Sequence, residues 1–284
     1  MSTIEALGAR GLPPNGRGIY VRESITDAQR IGANFAMVNA ERSDADELAR
    51  SLGGAWLYSL VGAWRPDTWR DGLAQILAKR RQLLAQGIPV HGIVADPEGG
   101  WPQLSAAQLA SKVTALGQTL AALASEMRVG LTTYPSWPGR LALVAAAGDA
   151  LWYSPQIYGR TSQDPADLAR WYALWTSVAG PQHCIPTIAA WPVSPMHATA
   201  QGYHDYLAML PAAAGYIAFD GMGRMPTHIA DALLTYEPGG SALETAALGA
   251  RNLLLRPAAI GIAVAIVVLV VLLVAGMAFI KRGG

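Results

Sequence analysis

The segment Gly92-Ile93-Val94-Ala95-Asp96-Pro97-Glu98-Gly99-Gly100-Trp101 decides how the chain folds. It is a short apolar run that ends in two carboxylates, two glycines and an indole. In an extended strand, side chains at i and i+2 point the same way. Gly92, Val94 and Asp96 therefore share one face, and Glu98 continues that row where the extension persists. Pro97 favours persistence, because it biases Asp96 away from the helical region. Gly99 and Gly100 let the chain turn away without steric cost. Two acids side by side at the end of a strand, next to an indole, match what acid/base cleavage of a glycosidic bond requires. The plainer alternative is an Asp-Pro turn with Glu98 in water.

Runs of the same kind recur along the chain. Apolar strands are predicted over 18–21, 35–38, 55–60, 90–95, 129–134, 150–154, 185–190 and 215–219. Between and after them, helical patterns cover 26–31, 43–52, 67–86, 105–126, 139–147, 165–177, 197–210 and 226–234. Ser43 and Ser105 stand where helix N-caps belong, and Gly87 closes the long helix that starts near Asp67. Short apolar strands alternating with helices indicate a parallel sheet covered on both faces. Eight such units predict an α/β fold of the (β/α)8 TIM barrel type over residues 17–238. The rival is a doubly wound open sheet. Against it, Gly18-Ile19-Tyr20-Val21-Arg22-Glu23 lacks the glycine-rich phosphate fingerprint after the first strand. Residues 1–16 form a lead-in, and 239–256 a linker.

The end of the chain differs from the barrel. Of the 284 residues, 52% are hydrophobic and 14% charged. Much of that bias comes from 257–280, which contains no charged side chain. Ala258 to Ile280 would make a helix about 35 Å long, enough to cross a hydrocarbon core of roughly 30 Å. Arg251 and Arg256 precede it; Lys281 and Arg282 follow, in a short basic tail over 281–284. The expectation is a single C-terminal transmembrane helix that anchors the barrel to a lipid bilayer. Met1 to Gly16 shows no secretory pattern. Four of the 21 basic residues lie in 251–284, so 17 basic residues face 20 acidic ones in 1–250, a balance of −3. That balance gives no sign of a nucleic-acid partner. The lone cysteine, Cys184, allows no internal disulfide and reads as a core residue.

A barrel of this type carries its active site at the C-terminal ends of the strands. Those ends offer Tyr20, Tyr58, Asp96, Glu98, Trp101, Tyr134, Trp137, Gln156, Tyr158, Trp191 and Asp220. Thr132 adds a hydroxyl there. Aromatic faces stack on sugar rings while polar groups take the hydroxyls. Trp64 and Trp69 also fall near the mouth loops. Trp152, Trp171 and Trp175 are expected to pack helices onto the barrel. The opposite ends are poorer, with His91, Arg128 and Asp149 the exceptions.

Asp96-Pro97-Glu98 closing the fourth strand and Asp220, in Phe219-Asp220-Gly221, closing the eighth resemble the glycoside hydrolase family 25 lysozymes. The resemblance covers about residues 17–236. It implies a muramidase-like activity on peptidoglycan, with Glu98 as proton donor, Asp96 as its stabilising partner and Asp220 as a further acid. That family also places an acid at the end of the first strand, where this chain has Tyr20. The Asp-x-Glu pair together with Gln156-Ile157-Tyr158 also resembles, more distantly, chitinase family 18, in which the substrate's N-acetyl group is the nucleophile. Gly92-Ile93-Val94 stand where that family has further aspartates. Both resemblances imply an N-acetylated glycan and no cofactor.

The histidines are scattered without metal-ligand spacing, so no metal is expected. There is no Gly-x-Ser-x-Gly elbow, and Cys184 has no evident catalytic partner. Two other classes of function remain. One is a catalytically inactive barrel that binds glycan through its aromatics. The other is a structural membrane component, such as a part of a virion. Tyr20 favours these, and the Asp96, Glu98 and Asp220 set favours an enzyme.

Overall fold

The computed structural model describes residues 11–14, 16–21, 25–59, 61–158, 167–210, 215–219 and 225–236. Eight strands run in parallel: β1 (Gly16–Val21), β2 (Phe35–Asn39), β3 (Ala55–Tyr58), β4 (Val90–Ala95), β5 (Arg128–Thr133), β6 (Trp152–Pro155), β7 (Thr187–Ala189) and β8 (Gly215–Phe219). Each is followed by a helix: α1 (Thr26–Arg30), α2 (Ala45–Ser51), α3 (Trp69–Ala85), α4 (Ala106–Leu123), α5 (Arg140–Ala147), α6 (Asp167–Ala179), α7 (Ala200–Ala208) and α8 (Thr227–Thr235). The sheet order is β6-β5-β4-β3-β2-β1-β8-β7, with every neighbouring pair parallel. Two isolated parallel bridges, Tyr153 with Cys184 and Gln156 with Thr187, join β6 to the β7 segment. The result is a nearly closed (β/α)8 barrel, as the alternating pattern predicts.

Parity along the strands sorts the side chains. Gly92 pairs with Trp56 and Arg128, Val94 with Tyr58 and Gly130, and Thr132 with Ser154. One face of these rows fills the barrel with Tyr20, Phe35, Met37, Trp56, Tyr58, Val94, Trp152, Ile185 and Ile217. The other face meets the helices in a larger apolar layer that includes Ile19, Val38, Leu57, Ile93, Val129 and Ile188. Two inward glycines make room for the largest inner rings. Trp56 lies against Gly92 and Trp152 against Gly130, and the two indoles meet edge to face at 5.3 Å. Trp152 thus fills the barrel rather than packing a helix onto it. Trp175 does pack outside, donating Nε1–H to the Pro135 carbonyl at 3.0 Å.

Helix ends follow local chemistry. Ser105 caps α4 in a reciprocal capping box with Gln108. Gly87, at φ 74°, ends the run after α3 while Ile88 N–H bonds back to the Leu83 carbonyl at 2.9 Å. Ser43 is not the cap of α2. Asp44 occupies that position, and its carboxylate is drawn to Arg42 at 2.6 Å instead of the helix amides. The linker at 239–256, the anchor at 257–280 and the tail at 281–284 lie outside the described residues, as does most of the 1–16 lead-in. Among the described residues no helix is long and apolar enough to cross a membrane.

Candidate active site at the barrel mouth

Asp96 follows directly on β4 and keeps the inward parity of Gly92 and Val94. The extended row does not continue to Glu98. Glu98 N–H bonds to the Asp96 carbonyl at 3.1 Å across Pro97, the i to i+2 link of a γ-turn. The pyrrolidine ring holds φ near the value such a turn needs. Thr133 Oγ1–H donates to the Pro97 carbonyl at 3.3 Å and pins the turn to β5. Gly100 then reverses the chain at φ 84°, a conformation suited to glycine. The turn folds Glu98 back, which brings its carboxyl within close electrostatic reach of Asp96.

That contact changes the acidity of the pair. Asp96 is pushed well above the ordinary carboxylate range, first by burial, then by the charge of Glu98 and by their hydrogen bond. Two adjacent carboxyls cannot both ionise freely, so ionising one makes ionising the other harder. Gln156 Nε2–H reaches Asp96 Oδ1 at 3.4 Å from the end of β6. Beneath them, Thr132 Oγ1–H donates to the Ser154 carbonyl at 2.9 Å, and the Ser154 and Thr187 hydroxyls share a bond of 2.6 Å.

Phenols and rings complete the mouth. Tyr20, next to the last residue of β1, is buried, and among the described residues its hydroxyl has no hydrogen-bond partner. Burial, and then the nearby Asp96 charge, hold its phenol far above its ordinary range, so it stays neutral. Tyr134 is raised by burial and by the charge of Glu98, which places it within electrostatic reach of that acid. Tyr20 meets Tyr58 edge to face at 4.8 Å and Phe219 at 5.3 Å. Tyr158 stacks on Phe219 at 5.8 Å and meets Trp191 at 5.0 Å. Tyr20, Tyr58 and Tyr158 are buried in this cluster, whereas Trp191, Phe219, Tyr134 and Gln156 keep part of their surface in solvent.

The structure therefore brings together Asp96, Glu98, Tyr20, Tyr58, Tyr134, Gln156, Tyr158 and Trp191. Asp220 lies outside the described residues. Trp101 and Trp137, expected at the mouth, do not join it. Both are 0% exposed and pack against each other at 5.7 Å in the outer layer. Trp101 Nε1–H donates to the Trp64 carbonyl at 2.7 Å. Neither indole offers a face to a sugar, and Trp64 and Trp69 are buried as well. Conversely, Phe219 touches Tyr20, Tyr158 and Trp191 and was missed. Its parity with Ile217 on β8 was the available signal. Among the described residues no group of three or more His, Cys, Asp or Glu could hold a metal ion.

No family model and no curated protein matches the chain. Solved structures do. An endo-β-N-acetylglucosaminidase from Cordyceps militaris in apo form superposes with a TM-score of 0.51 at 13% identity, covering 81% of this chain and 92% of that one. Active domain 2 of a chitinase from Pyrococcus furiosus gives 0.46 at 9% identity, over 81% and 99%. A D-psicose 3-epimerase gives 0.44 at 14% identity, over 84% and 96%. At 13% identity the first of these shows a shared fold alone, since one barrel hosts many chemistries.

Proposed function

We propose that the barrel is a glycoside hydrolase that cleaves an N-acetylated glycan, peptidoglycan or a chitin-like polymer, through the Asp96–Glu98 pair. The observation that carries this is the pairing of the two acids at the end of β4, folded together by the γ-turn at Pro97, with Asp96 pushed well above the ordinary carboxylate range by burial and by Glu98. The proton that Asp96 holds passes to Glu98 as substrate binds, and Glu98 gives it to the leaving glycosidic oxygen. The charge left on the pair then faces the oxocarbenium-like centre and stabilises it. Trp191, Phe219, Tyr134 and Gln156 are the partly exposed groups placed to hold a sugar ring and its amide. The resemblance to the family 25 lysozymes adds Asp220 as a further acid. We propose too that 257–280 holds the barrel at a bilayer, supported by its charge-free length and flanking Arg256 and Lys281. The full chain should then float with lipid vesicles, and a chain ending at residue 250 should not.

The test of catalysis is Glu98→Gln, which keeps the shape of the side chain but has no proton to give. Release of soluble fragments from purified peptidoglycan or chito-oligosaccharides should fall by about 10² to 10⁴-fold, with binding retained. Equal release by variant and wild type would refute the assignment. One observation favours a second reading. The neutral phenol of Tyr20 stands where the lysozyme resemblance puts a carboxylate. Wild-type protein that binds the polymer and releases nothing would make the chain a glycan-binding barrel, for instance in a virion or membrane assembly.

A further inference from the structure

The opposite end of the barrel, where the strands begin, carries an arrangement that glycan cleavage leaves unused. Arg128 is the first residue of β5 and shares the inward parity of Gly130 and Thr132. The residue is 9% exposed. Its Nη1 is buried and meets no acceptor, and among the described residues no carboxylate lies within ion-pair distance of it. An unpaired buried cation is costly, and a barrel floor that only needed filling would be cheaper with an apolar side chain.

His91 stands beside it on β4. The β3–β4 register slips at this point: Ala55 pairs with Val90, but Trp56 pairs with Gly92. His91 is the extra residue of that bulge, and bulges re-aim side chains. Its Nε2 is also buried and has no partner. Burial, and then the charge of Arg128, hold its imidazole below the ordinary range, so the two groups lie within electrostatic reach of each other. The indoles of the same inner layer repeat the pattern. Trp56 Nε1 and Trp152 Nε1 are both buried without an acceptor. Guanidinium and indole N–H groups only donate. This layer therefore holds several donors and one positive charge that, among the described residues, meet no anion and no acceptor.

We propose that the floor of the barrel binds a small oxyanion, a carboxylate or phosphate group, between Arg128 and His91. Such a group supplies the missing charge and at least two acceptor oxygens, which a guanidinium fork engages together. Ordered water would satisfy the donors and leave the charge unpaired. The site lies at the end of the barrel remote from Asp96 and Glu98, so it stands apart from the catalytic proposal.

The experiment uses the purified full chain in sodium phosphate, sodium acetate or sodium chloride at matched ionic strength. Thermal melting and calorimetric titration read binding, and the NMR titration of His91 reads its place. Phosphate or acetate should raise the melting temperature progressively over chloride, and should move the His91 titration upward as the anion offsets Arg128. A response to phosphate alone identifies a phosphate ligand; a response to acetate alone identifies a carboxylate. Arg128→Gln should weaken binding roughly 10- to 100-fold, the effect of losing a charged hydrogen bond. Melting that follows ionic strength only, or an anion response unchanged in Arg128→Gln, would overturn the proposal. Where Arg128→Gln does not fold, His91→Gln should also weaken binding, and a wild-type His91 titration that neither anion moves would overturn it.

Discussion

Trp101→Ala separates a core role from a glycan-stacking role, and its size follows from the contacts. The indole lies in a short 3₁₀ turn after Gly100, 0% exposed, with its ring 5.7 Å from that of Trp137. Deleting a buried tryptophan side chain costs about 3–5 kcal/mol through lost burial and the cavity left behind. The Trp64 carbonyl also loses the N–H that meets it at 2.7 Å. An orphaned buried acceptor adds about 1 kcal/mol. For a domain of this size each kcal/mol moves the melting temperature by about 2–4 °C, so a loss of about 4–6 kcal/mol should lower melting by about 8–24 °C. A surface indole would behave differently, costing at most about 0.5 kcal/mol of stability and most of its share of binding. The assay pairs circular-dichroism melts with a peptidoglycan pull-down on the same protein. A variant that melts like wild type but no longer binds the polymer would refute the packing argument.

Three further outcomes follow. Gly130→Ala drives a methyl into the Trp152 ring, and Gly92→Ala meets the Arg128 carbonyl oxygen at 2.6 Å, which no rotamer change relieves. Each should cost about 1–3 kcal/mol or more by urea unfolding, with Gly92→Ala the worse, and a neutral result for both would contradict the inner-layer register. Asp96 binds its proton more tightly folded than unfolded, so its contribution to stability falls as pH rises through its raised range. Asp96→Asn removes that loss and should melt higher than wild type at neutral pH while losing activity; identical melts from about pH 4 to 8 would count against the raised acidity range of Asp96. His197 is the opposite case, since burial lowers its pKa to about 4. The folded chain then takes up fewer protons than the unfolded chain below about pH 6.5, and roughly 3 kcal/mol should be lost on acidification towards pH 4. His197→Gln should lack that part of the acid limb, and unfolding curves that shift equally in both proteins would disprove it.

The barrel was legible because its strands are short, apolar and parallel, and each is bounded by polar or glycine-rich turns. Parity also carried far: Gly92, Val94 and Asp96 do share the inward face, and Ser154 and Gln156 follow from Trp152 in the same way. The same rule, applied to Trp152, would have placed it inside the barrel. β7 is shorter than the apolar run around it, covering only Thr187–Ala189, because Pro186 has no N–H to give the ladder and contributes only a carbonyl, to Ile217. The tryptophans after β4 and β5 were misplaced for a different reason. Trp101 and Trp137 stand in loops, where sequence periodicity carries no information on facing. Their burial depends on meeting each other and the Trp64 carbonyl across the sequence. The Asp96–Glu98 contact was expected from an extended row, yet it arises from the γ-turn at Pro97, a local event that the dipeptide preference alone does not specify.

The closure between β6 and β7 gives the cylinder one loose stave. Elsewhere neighbouring strands pair along ladders, the β3–β4 one interrupted by its bulge, but here the wall is held by two bridges, with Ile185 N–H donating to Tyr153 and Ile157 N–H to Thr187. Local opening begins where backbone bonds are fewest. Those two amides should trade their protons for deuterium ahead of the amides between β4 and β5. Gln156 stands on that stave and reaches Asp96 across it at 3.4 Å. Breathing of the wall therefore lengthens and shortens the hydrogen bond that the amide donates to Asp96, and because that bond favours the ionised carboxylate, losing it makes the acid hold its proton more firmly.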